Sequence, residues 1–381
     1  MDLSQVRVRI DEIDRELMRL FCERMDIAAD VAAAKRETGK AVFDPARERQ
    51  KLATVAGMVP QARRPQALAL MNLLMSMSKA EQLALLKRGA DSSTLARARA
   101  SLLSAETPFP EVATVACQGV EGAYSQLAAC RLFKVPSISY APDFAGVIRA
   151  VSEGACEFGV LPIENSTAGS VNAVYDLLAE SGLAIVRSCR LKVEHNLMAR
   201  PGCSLAGIRE VVSHEQALAQ CAGYLERLGV STRVCENTAR AARIVSESGR
   251  DDLAALSSRS CAGLYGLDIL GEAVQDSDSN YTRFVVVCAE PRIYPGATRT
   301  SLMVTLRHEP GSLYRVLERI YALDVNLVKL ESRPIPGRDF QFAFYFDVEC
   351  AVGSPAFGPL LDALDDVCET VTYFGSYQEV L

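Results

Sequence analysis

The amino-acid sequence predicts a multidomain protein that combines an all-helical region with α/β regions. Three features predict this: the length of the chain, one long heptad pattern at its start, and a change to short strands near Val112. At 381 residues the chain is long for one hydrophobic core, so two or three domains are expected. Hydrophobic residues make up 49% and charged residues 23%, which is typical of a globular protein.

Composition excludes several classes of function. No apolar run approaches the roughly 18 residues of a membrane span, so neither a membrane partner nor an export signal is expected. The 12 cysteines are scattered singly beside only 3 histidines, which argues against a metal site and a disulfide framework. Dispersed thiols indicate a reducing cytoplasm. The net charge of −6 argues against a nucleic-acid partner, although residues 1–90 carry a basic excess.

The first helix carries an apolar heptad seam with one charged member. The pattern predicts a helix from residue 3 to about 37, ended by Thr38 and Gly39. The seam consists of Leu3, Val6, Ile10, Ile13, Leu17, Leu20, Arg24, Ile27, Val31 and Ala34. Two short helices of the same chain cannot cover a helix of roughly 50 Å, so a second copy is expected to cover it. The sequence therefore predicts a homodimer or a higher homo-oligomer.

Arg24 is out of place on this seam. A guanidinium in an apolar setting loses hydration unless an anion meets it, so something negative is expected inside the bundle. Lys35 lies about three turns further on and returns to nearly the same face. Two cations on one core-facing stripe predict a pocket for a small dianion. The alternative is that Arg24 reaches the rim of the bundle or pairs with a carboxylate such as Glu48.

Two more helices complete the first region. Asp44 and Pro45 have the types expected at the N-cap and first position of a helix that runs toward Val59. A third helix is predicted from Pro65 to Lys87. The stretch from Ala90 to Pro110 has the composition of a linker. The predicted division is therefore a helical domain over 1–90 and a linker over 91–110.

From Val112 onward, short β-branched strands alternate with helices. This alternation predicts an α/β domain over 111–290 with a largely parallel sheet. The candidate strands are 112–117, 137–140, 157–162, 183–187, 210–213, 232–235, 253–257 and 282–288. So many strands in about 180 residues indicate two lobes.

The last region, 299–381, has a different order of elements. Strands are predicted over 301–306, 326–331, 340–348 and 367–374, and helices over 312–323 and 355–364. The order βαββαβ is that of a ferredoxin-like module. Phe340, Phe342, Phe344 and Phe346 alternate along one strand, so one aromatic sheet face is expected to pack on the helices.

Polar residues of the helical region resemble those of the all-helical chorismate mutase family. The residues that carry the resemblance are Arg7, Arg24, Lys35, Asp44, Arg47, Glu48, Ser78 and Gln82. The resemblance implies an intertwined dimer that binds chorismate between its helices. The implied cationic set grips the two carboxylates and comprises Arg7, which reaches into the partner's site, together with Arg24, Lys35 and Arg47.

The same resemblance implies the catalytic residues. Glu48 would hold the ring hydroxyl, and Lys35 with Gln82 would bind the ether oxygen, while Asp44 and Ser78 complete the substrate-binding set. An intramolecular Claisen rearrangement needs no nucleophile, proton transfer or cofactor. Catalysis must come from holding the compact conformer and stabilising charge on the ether oxygen, for which cations and an amide donor suffice.

Several loops of the α/β region lie at strand ends, where open sheets bind ligands. They are Gln118–Ser125, Val160–Val171, the turn Ser213–Gln216 with Gln220 one helical turn later, and Asn280–Phe284. Singly, each has the composition of a glycine turn or a helix cap. As a set they resemble the prephenate dehydratase domain, from about Val112 to Cys288. The resemblance implies two lobes arranged as in periplasmic binding proteins, with an active cleft between them.

By motif, this cleft would contain a defined set of side chains. The implied catalytic residues are Glu164, Asn165, Ser213, Gln220 and Thr282, the implied substrate-binding residues are Ser166 and Arg283, and His195 lies nearby. The reaction forms an aromatic ring, so the protein needs to anchor carboxylates and help a hydroxyl to leave. Thr282 is the best candidate to hydrogen-bond that hydroxyl, and no proton donor is evident. Cys221 has no accompanying base motif and is not expected to be a nucleophile.

The terminal module resembles an ACT domain. The resemblance rests on two motifs, Gly311-Ser312-Leu313 and Glu331-Ser332-Arg333-Pro334, and implies that they bind phenylalanine as an effector. Ser312 stands where the family more often has alanine. The alternative is a module that only dimerises.

The order of the three modules resembles bifunctional chorismate mutase/prephenate dehydratases of phenylalanine biosynthesis. It implies conversion of chorismate to prephenate and then of prephenate to phenylpyruvate, without a cofactor and with feedback inhibition by phenylalanine. Two alternatives stay open: a dehydratase that prefers arogenate, and a two-lobed ligand sensor fused to a chorismate mutase.

Overall fold

The computed structural model of the chain describes residues 2–38, 44–86, 92–104, 106–335, 337 and 341–380. The chain divides into two compact units. The first comprises residues up to 93 together with 361–367, and the second comprises 94–360 and 368–381. The helical region lies in the first unit, and both α/β regions, apart from residues 361–367, lie in the second.

The helical unit contains the three predicted helices. They are α1 (Leu3–Thr38), α2 (Pro45–Met58) and, after a 3-10 turn at Gln61–Arg63, α3 (Arg64–Leu86). Asp44 is confirmed as the N-cap of α2, because its Oδ1 accepts a hydrogen bond from the Arg47 amide at 3.0 Å. The predicted helix-ending Gly39 and the predicted end of the third helix at Lys87 lie outside the described residues.

Much of the apolar seam of α1 is exposed. Ala28 and Ala32 are buried. The large seam residues are exposed over about half of their surface: Ile10 49%, Ile13 47%, Leu17 49%, Leu20 47% and Ile27 53%. A contiguous apolar stripe of this kind marks an interaction surface in a folded protein.

Part of the predicted linker is a helix. Helix α4 (Ser93–Ala100) lies within it, with Leu95 and Ala98 buried at helical spacing. Further on, the Phe109 ring lies 5.1 Å from the Phe133 ring between centroids. The linker prediction is therefore wrong for these residues, because the buried Leu95 and Ala98 and the partly buried Phe109 order the segment. Ala90, where the linker was expected to begin, lies outside the described residues.

The α/β region from 112 to 288 alternates strands and helices as predicted. The strands are β1 (Val112–Gln118), β2 (Val135–Ala141), β3 (Phe158–Asn165), β4 (Gly169–Ser170), β5 (Ala184–Lys192), β6 (Asn196–Ala199), β7 (Glu210–Ser213), β8 (Ser231–Val234), β9 (Leu253–Ser257), β10 (Asp268–Gly271) and β11 (Tyr281–Cys288). The helices are α5 (Tyr124–Leu132), α6 (Phe144–Ser152), α7 (Asn172–Ser181), α8 (Glu215–Gln220), α9 (Ala222–Leu228), α10 (Thr238–Glu247) and α11 (Arg259–Tyr265). The sequence did not predict β4, β6 and β10, each of which has four residues or fewer.

These strands form two sheets, but the sheets are mixed rather than largely parallel. In the first sheet, β1 is parallel to β2 and β3, whereas β11 is antiparallel to both β3 and β5. The second sheet has the order β10-β6-β9-β7-β8, with β6 antiparallel to both of its neighbours. The chain enters the second sheet after β5 and returns with β11. A returning strand of this kind runs against its neighbours, which alternation of strands and helices alone does not reveal.

The last region has the predicted βαββαβ order. Its elements are β12 (Arg299–Thr305), α12 (Ser312–Ala322), β13 (Asn326–Pro334), β14 (Phe342–Glu349), α13 (Phe357–Val367) and β15 (Thr370–Val380). The four strands lie in the order β13-β14-β12-β15, and neighbouring strands are antiparallel. Phe340, the first aromatic residue of the predicted alternation, lies outside the described residues.

The first sheet and the terminal sheet are continuous. Strand β15 pairs in parallel with β5, with Gln378 opposite Arg187, and this joins both sets into one ten-stranded sheet. Gly375 marks the close approach, since a Cβ atom there would lie 2.1 Å from the Ile185 carbonyl oxygen. The terminal region is therefore not a separate layer.

The aromatic strand β14 is buried on both faces. On the predicted aromatic face, Phe346 is buried, whereas Phe342 is 39% exposed at the other end. On the opposite face, Tyr345 packs with Tyr175 and Phe374 in the core of the first sheet. The expectation of one aromatic, helix-covered face is therefore incomplete, because the other face packs on the neighbouring region.

Candidate functional site

In the helical unit, Arg24 finds a neutral partner. Its Nη1 donates a hydrogen bond to the Leu74 carbonyl oxygen at 2.8 Å. Burial lowers the pKa of the guanidinium. The pairing with Glu48 that sequence reasoning weighed is not formed, because the Glu48 Oε1 accepts from Lys79 Nζ at 2.6 Å. The Leu74 carbonyl carries no net charge, so this hydrogen bond does not neutralise the positive charge of Arg24 on α1.

The two residues predicted to bind the ether oxygen lie together. Lys35 Nζ is 3.2 Å from Gln82 Oε1, and Gln82 Nε2 donates to Ser78 Oγ at 3.4 Å. Gln82 is buried although it is polar. This pair offers an ammonium and an amide from two different helices, which are the groups that stabilise charge on an oxygen atom.

The other predicted residues of this site are arranged less closely. Asp44 caps α2, and Arg47 Nη1 donates to Gln50 Oε1 at 3.0 Å on the same helix. Arg7 is exposed near the start of α1. It lies 17 residues before Arg24 on one continuous helix, a separation of about 25 Å at 1.5 Å per residue. Arg7 and Arg24 of one chain therefore cannot grip the same small substrate.

In the α/β unit, Asn165 and Thr282 form the centre of a hydrogen-bond network. Asn165 Nδ2 donates to Thr282 Oγ1 at 2.9 Å and to Asn280 Oδ1 at 2.8 Å. Asn165 Oδ1 accepts from the amides of Thr167 and Ala168 at 3.1 and 2.9 Å. These bonds use both ends of the Asn165 amide and fix its orientation.

The network continues to the second predicted group. Asn280 Nδ2 donates to Gln220 Oε1 at 2.9 Å, and His195 Nε2 lies 2.9 Å from the same oxygen. An acceptor at that position requires the imidazole proton on Nε2. Burial lowers the pKa of His195, and the hydrogen bond to Gln220 offsets this only in part. Burial therefore favours the neutral form of the imidazole.

Ser166 and Ser213 have local partners. Ser166 Oγ donates to the Ser279 carbonyl at 2.7 Å and accepts from the Tyr281 amide at 2.9 Å, which ties it to the segment before Thr282. Ser213 is fully buried, and its Oγ donates to the Leu256 carbonyl at 2.7 Å. The described contacts thus join Ser166 to the network but give Ser213 a bond within the second sheet.

Cys221 has the properties of a core residue. It is fully buried in the second sheet's core cluster, and burial raises the pKa of its thiol to about 12. A protonated, inaccessible thiol is a poor nucleophile. This agrees with the expectation that Cys221 has no covalent role.

Glu164 and Arg283 lie together, away from the Asn165 side chain. On β11, Arg283 pairs with Glu164 but Phe284 pairs with Pro162, so Ile163 is an extra residue in β3. Such a bulge changes which side chains share a face of the sheet. It places Glu164 beside Arg283, with Glu164 Oε2 at 3.7 Å from Arg283 Nη1. The predicted cleft residues therefore divide into two groups.

Arg283 is held by the terminal region. Its Nη1 lies 2.5 Å from Asp347 Oδ2, and its Nη2 donates to the Tyr377 hydroxyl at 2.6 Å. Burial alone lowers the pKa of this guanidinium, but Tyr377 and the Asp347 carboxylate raise it well above the usual value. The side chain is only 4% exposed. The expectation that Arg283 binds substrate is therefore not supported, because its guanidinium is enclosed by protein partners.

Sequence reasoning missed two residues at this site. Asn280 belongs to a quoted segment, and its place two residues before Thr282 at a strand end is a usable signal. Lys329 gives no local signal: its Nζ lies 3.0 Å from Glu164 Oε1, although the two residues are far apart in the sequence.

The predicted effector motifs lie apart within one chain. A cavity of about 360 Å³ is lined by Gly311, Ser312 and Leu313, with Phe342 and Phe344 across from them. Glu331 and Arg333 instead contact residues of the first sheet's region: Glu331 Oε2 accepts from Ser170 Oγ at 2.9 Å, and Arg333 Nη2 donates to Asp176 at 2.9 Å.

Neither a metal-ion site nor a membrane-spanning helix is present in the described ranges. Among the residues that the structure describes, no group of His, Cys, Asp and Glu could hold a metal ion. Within the same part of the chain, no helix is both long and apolar enough to span a membrane.

Comparison with known proteins identifies the two catalytic regions. Residues 6–83 match the family model of type II chorismate mutases, and residues 115–292 match that of prephenate dehydratases. A bifunctional chorismate mutase/prephenate dehydratase of Neisseria gonorrhoeae is 31% identical over 378 residues, covering 97% of this chain and 95% of the relative. The chain belongs to this bifunctional family. It is an enzyme with a chorismate mutase domain and a prephenate dehydratase domain.

Two further proteins resemble the second part of this bifunctional chain. An arogenate dehydratase/prephenate dehydratase of Arabidopsis thaliana is 37% identical over 277 residues, covering 69% of this chain and 72% of the relative. A solved prephenate dehydratase from Arthrobacter aurescens, in complex with L-phenylalanine, is 26% identical and has a TM-score of 0.64. It covers 69% of this chain, and 89% of the solved chain is matched.

Proposed function

We propose that the residues around Arg24 form the chorismate mutase site. Lys35 and Gln82 would bind the ether oxygen, Arg24 and Arg47 would bind the carboxylates, and Glu48 the ring hydroxyl. Asp44 and Ser78 fix the first turn of α2 and the Gln82 amide, respectively. The observation that carries this proposal is the contact between the Lys35 ammonium and the buried Gln82 amide. Both groups stabilise the negative charge that develops on the breaking ether oxygen.

The helical region is proposed to act as an intertwined homodimer. The half-exposed seam of α1 supports this, because a second copy of the same helix would cover it. The distance of about 25 Å between Arg7 and Arg24 also supports it, since Arg7 would then serve the partner's site. Substitution of Leu17 by Glu on the seam tests this proposal by sedimentation. A monomer with an intact dehydratase is expected, whereas an unchanged oligomer contradicts the proposed interface.

The dehydratase site is proposed to centre on Thr282, in a cleft between the two lobes. Asn165 donates to Thr282 Oγ1, so the threonine proton is free to be donated elsewhere. We propose that Thr282 keeps this proton and uses it to donate a hydrogen bond to the hydroxyl that leaves prephenate as its carboxylate leaves as carbon dioxide. Gln220 and Asn165 fix the geometry, and Glu164, Ser166 and Ser213 complete the proposed set.

The terminal region, 299–381, is proposed to be a ferredoxin-like ACT domain that binds phenylalanine. The cavity beside Gly311–Leu313 supports an effector site, and the related enzyme from Arthrobacter aurescens was solved with L-phenylalanine. Glu331–Pro334 do not line this cavity in one chain, which favours a site shared between two subunits. A purely dimerising module is the alternative, and titration with phenylalanine distinguishes the two.

The remaining assignments follow from these. The proposed domains are 1–90, 111–290 and 299–381, and the proposed compartment is the cytoplasm. We infer that neither reaction uses a cofactor or a metal, because a rearrangement and a loss of carbon dioxide and water need no redox partner. Partners are then limited to the two substrates, the effector and a further copy of the chain.

One experiment tests the whole assignment. Purified protein is given chorismate alone, and prephenate and phenylpyruvate are followed with time. Successive appearance of both products is expected, and failure to form prephenate contradicts the mutase site. Parallel assays with prephenate and arogenate at equal concentration decide the preferred dehydratase substrate. A protein that binds prephenate without turnover would support the sensor alternative.

A further inference from the structure

Lys329 of the terminal region reaches into the dehydratase region at a specific place. Its Nζ lies 3.0 Å from Glu164 Oε1 and donates to Ser170 Oγ at 2.7 Å. Glu164 and Ser170 pair with each other as the two ends of the turn between β3 and β4, residues 164–170, which we call the site hairpin. One ammonium therefore holds both ends of the site hairpin.

The site hairpin carries the centre of the proposed dehydratase network. Asn165, next to Glu164, holds Thr282 Oγ1, and Ser166 is tied to the segment before Thr282. Within the hairpin, Asn165 Oδ1 accepts hydrogen bonds from the backbone amides of Thr167 and Ala168, so the Asn165 side chain moves with the turn. A shift at the ends of this short turn is therefore transmitted to the Asn165 amide.

The Lys329 ammonium is itself fixed in position. The side chain is 9% exposed, and its Nζ lies 5.4 Å from the centroid of the Tyr175 ring. Tyr175 in turn packs edge-on against Tyr345 of β14, with 4.6 Å between ring centroids. On the same strand as Lys329, Glu331 accepts a hydrogen bond from Ser170. The Lys329 ammonium is therefore fixed by several contacts, unlike that of a mobile surface lysine.

The charges around Glu164 favour the contact with Lys329. Glu164 lies between two cations, Lys329 at 3.0 Å and Arg283 at 3.7 Å. Arg283 Nη1 already forms an ion pair with Asp347 Oδ2 at 2.5 Å. Lys329 is therefore the nearer cation to Glu164 and, in the described part of the chain, has no such competing carboxylate at that distance. Among the described ion pairs, removing the Lys329 charge would leave Glu164 with the longer contact to Arg283.

We propose that Lys329 is a positioning residue for the dehydratase, which holds the site hairpin through Glu164 and Ser170. It does not touch the reacting atoms and acts on them through Asn165. This inference rests on the proposed dehydratase site. It adds that the terminal region contributes to the basal reaction and is more than an attachment for the effector. Because Lys329 shares β13 with Glu331–Pro334, the same strand joins the proposed effector segment to the proposed site.

The test compares Lys329→Met, Lys329→Arg and a matched control, Lys134→Met, in the full chain. Lys134 forms an exposed ion pair with Glu111 at 3.2 Å and lies outside the network. Loss of a positioning contact is expected to lower the dehydratase kcat by roughly ten- to a hundredfold. KM for prephenate should change much less, and Lys329→Arg should recover most of kcat. The thermal unfolding midpoint reports whether the second unit is folded in each variant, and mutase activity on chorismate reports the same for the helical unit.

A double-mutant cycle with Glu164→Gln shows whether Lys329 acts through Glu164. If it does, adding Lys329→Met to Glu164→Gln lowers kcat little further. The inference is overturned if Lys329→Met retains the kcat of Lys134→Met, if its whole loss follows from a lower unfolding midpoint, or if the two losses multiply. Asn165→Ala and Thr282→Val separate this from failure of the proposed site. If both remain active, the site itself is misplaced, whereas impaired Asn165 and Thr282 variants beside an active Lys329→Met overturn only the present inference.

Discussion

The helical region and the dehydratase region organise their polar residues in opposite ways. In the helical region, Arg7 and Arg24 lie about 25 Å apart on one helix, and the apolar seam between them is half exposed. In the dehydratase region, Asn165, Thr282, Asn280 and Gln220 are linked by consecutive hydrogen bonds within one chain. A single chain therefore preorganises the proposed dehydratase network, whereas the proposed mutase site takes Arg7 from a second chain.

The cost of each arrangement differs as well. A helix site uses few residues, since each turn offers a side chain to the same stripe, but it leaves apolar surface to be covered. A network at strand ends needs many contacts from distant parts of the sequence, but its polar groups then bind one another. Substitutions should therefore act locally in the helical region and spread further in the dehydratase region.

The largest effect is expected for Arg24→Ala. Removing the cation from the proposed dianion pocket should lower mutase kcat/KM by about a thousandfold, because transition-state charge loses a partner. Dehydratase activity on supplied prephenate should persist. The matched control is Arg9→Ala, an exposed arginine of the same helix that pairs with Glu12. Near-normal mutase activity in Arg24→Ala would sink the assignment of this residue.

Next in size is Arg283→Met. Asp347, which is 7% exposed, would lose its buried partner, so the second unit should be destabilised by roughly 3 kcal/mol. Chemical denaturation measures this. Replacement of a structural arginine should destabilise the fold, whereas replacement of a substrate-binding arginine should leave the stability unchanged. A stable variant that has lost only prephenate binding would restore the sequence-based role of Arg283.

Thr282→Val should follow. The substitution keeps the shape but removes the hydroxyl donor, and a dehydratase loss of about a hundredfold is expected. Mutase activity should be unchanged, and Thr282→Ser should retain more dehydratase activity. Should both activities of Thr282→Val fall together, misfolding is the better explanation. Should neither fall, the network is not the dehydratase site.

A smaller effect is expected for Gly311→Val. Gly311 has φ +83° at the start of α12 beside the cavity, so a β-branched residue is strained there and also narrows the cavity. Gly202→Val is the matched control, because Gly202 has φ +84° and a Cβ atom added there would have no heavy atom within 4 Å. Both variants should lose stability, but only Gly311→Val should weaken phenylalanine inhibition, by about tenfold or 1.4 kcal/mol. Equal inhibition in the two variants would argue for a module that only dimerises.

The smallest effect concerns pH. Burial lowers the pKa of His195 in the folded protein below its usual value of 6.5, so the unfolded chain binds this proton at higher pH. Stability should therefore fall as pH drops through 6.5, and less so in His195→Gln. Unfolding midpoints at several pH values measure the difference between the two proteins. His195 is the first histidine in the sequence, so the helical region contains none. Its mutase activity should therefore not change with the protonation of His195.

The structure also changes how truncation should be read. From the sequence alone, truncation after about Pro291 is expected to delete the effector module and leave the dehydratase intact. In the structure it would uncover the edge of β5 and leave Arg283 without Asp347. Loss of activity in such a fragment would then report damage to the sheet, so point variants such as Gly311→Val are the better test of feedback.

The sequence by itself determined the order and type of most elements. Heptad spacing predicted α1 within a residue or two, and Asp44 with Pro45 marked the start of α2. These features depend on side chains a few positions apart, so a local pattern carries them. The motifs at the ends of β3 and β11 also predicted that Asn165 and Thr282 lie together, and a hydrogen bond joins them.

Only the tertiary structure decided how these residues divide between faces and partners. The extra residue Ile163 in β3 turns Glu164 toward Arg283, and no local pattern marks a bulge at that position. The pairing of β15 with β5 brings Asp347 and Lys329 to residues far away in the sequence. A buried charge is stable only beside a partner of opposite sign, and that partner is chosen by the packing of distant segments, which sequence periodicity does not encode.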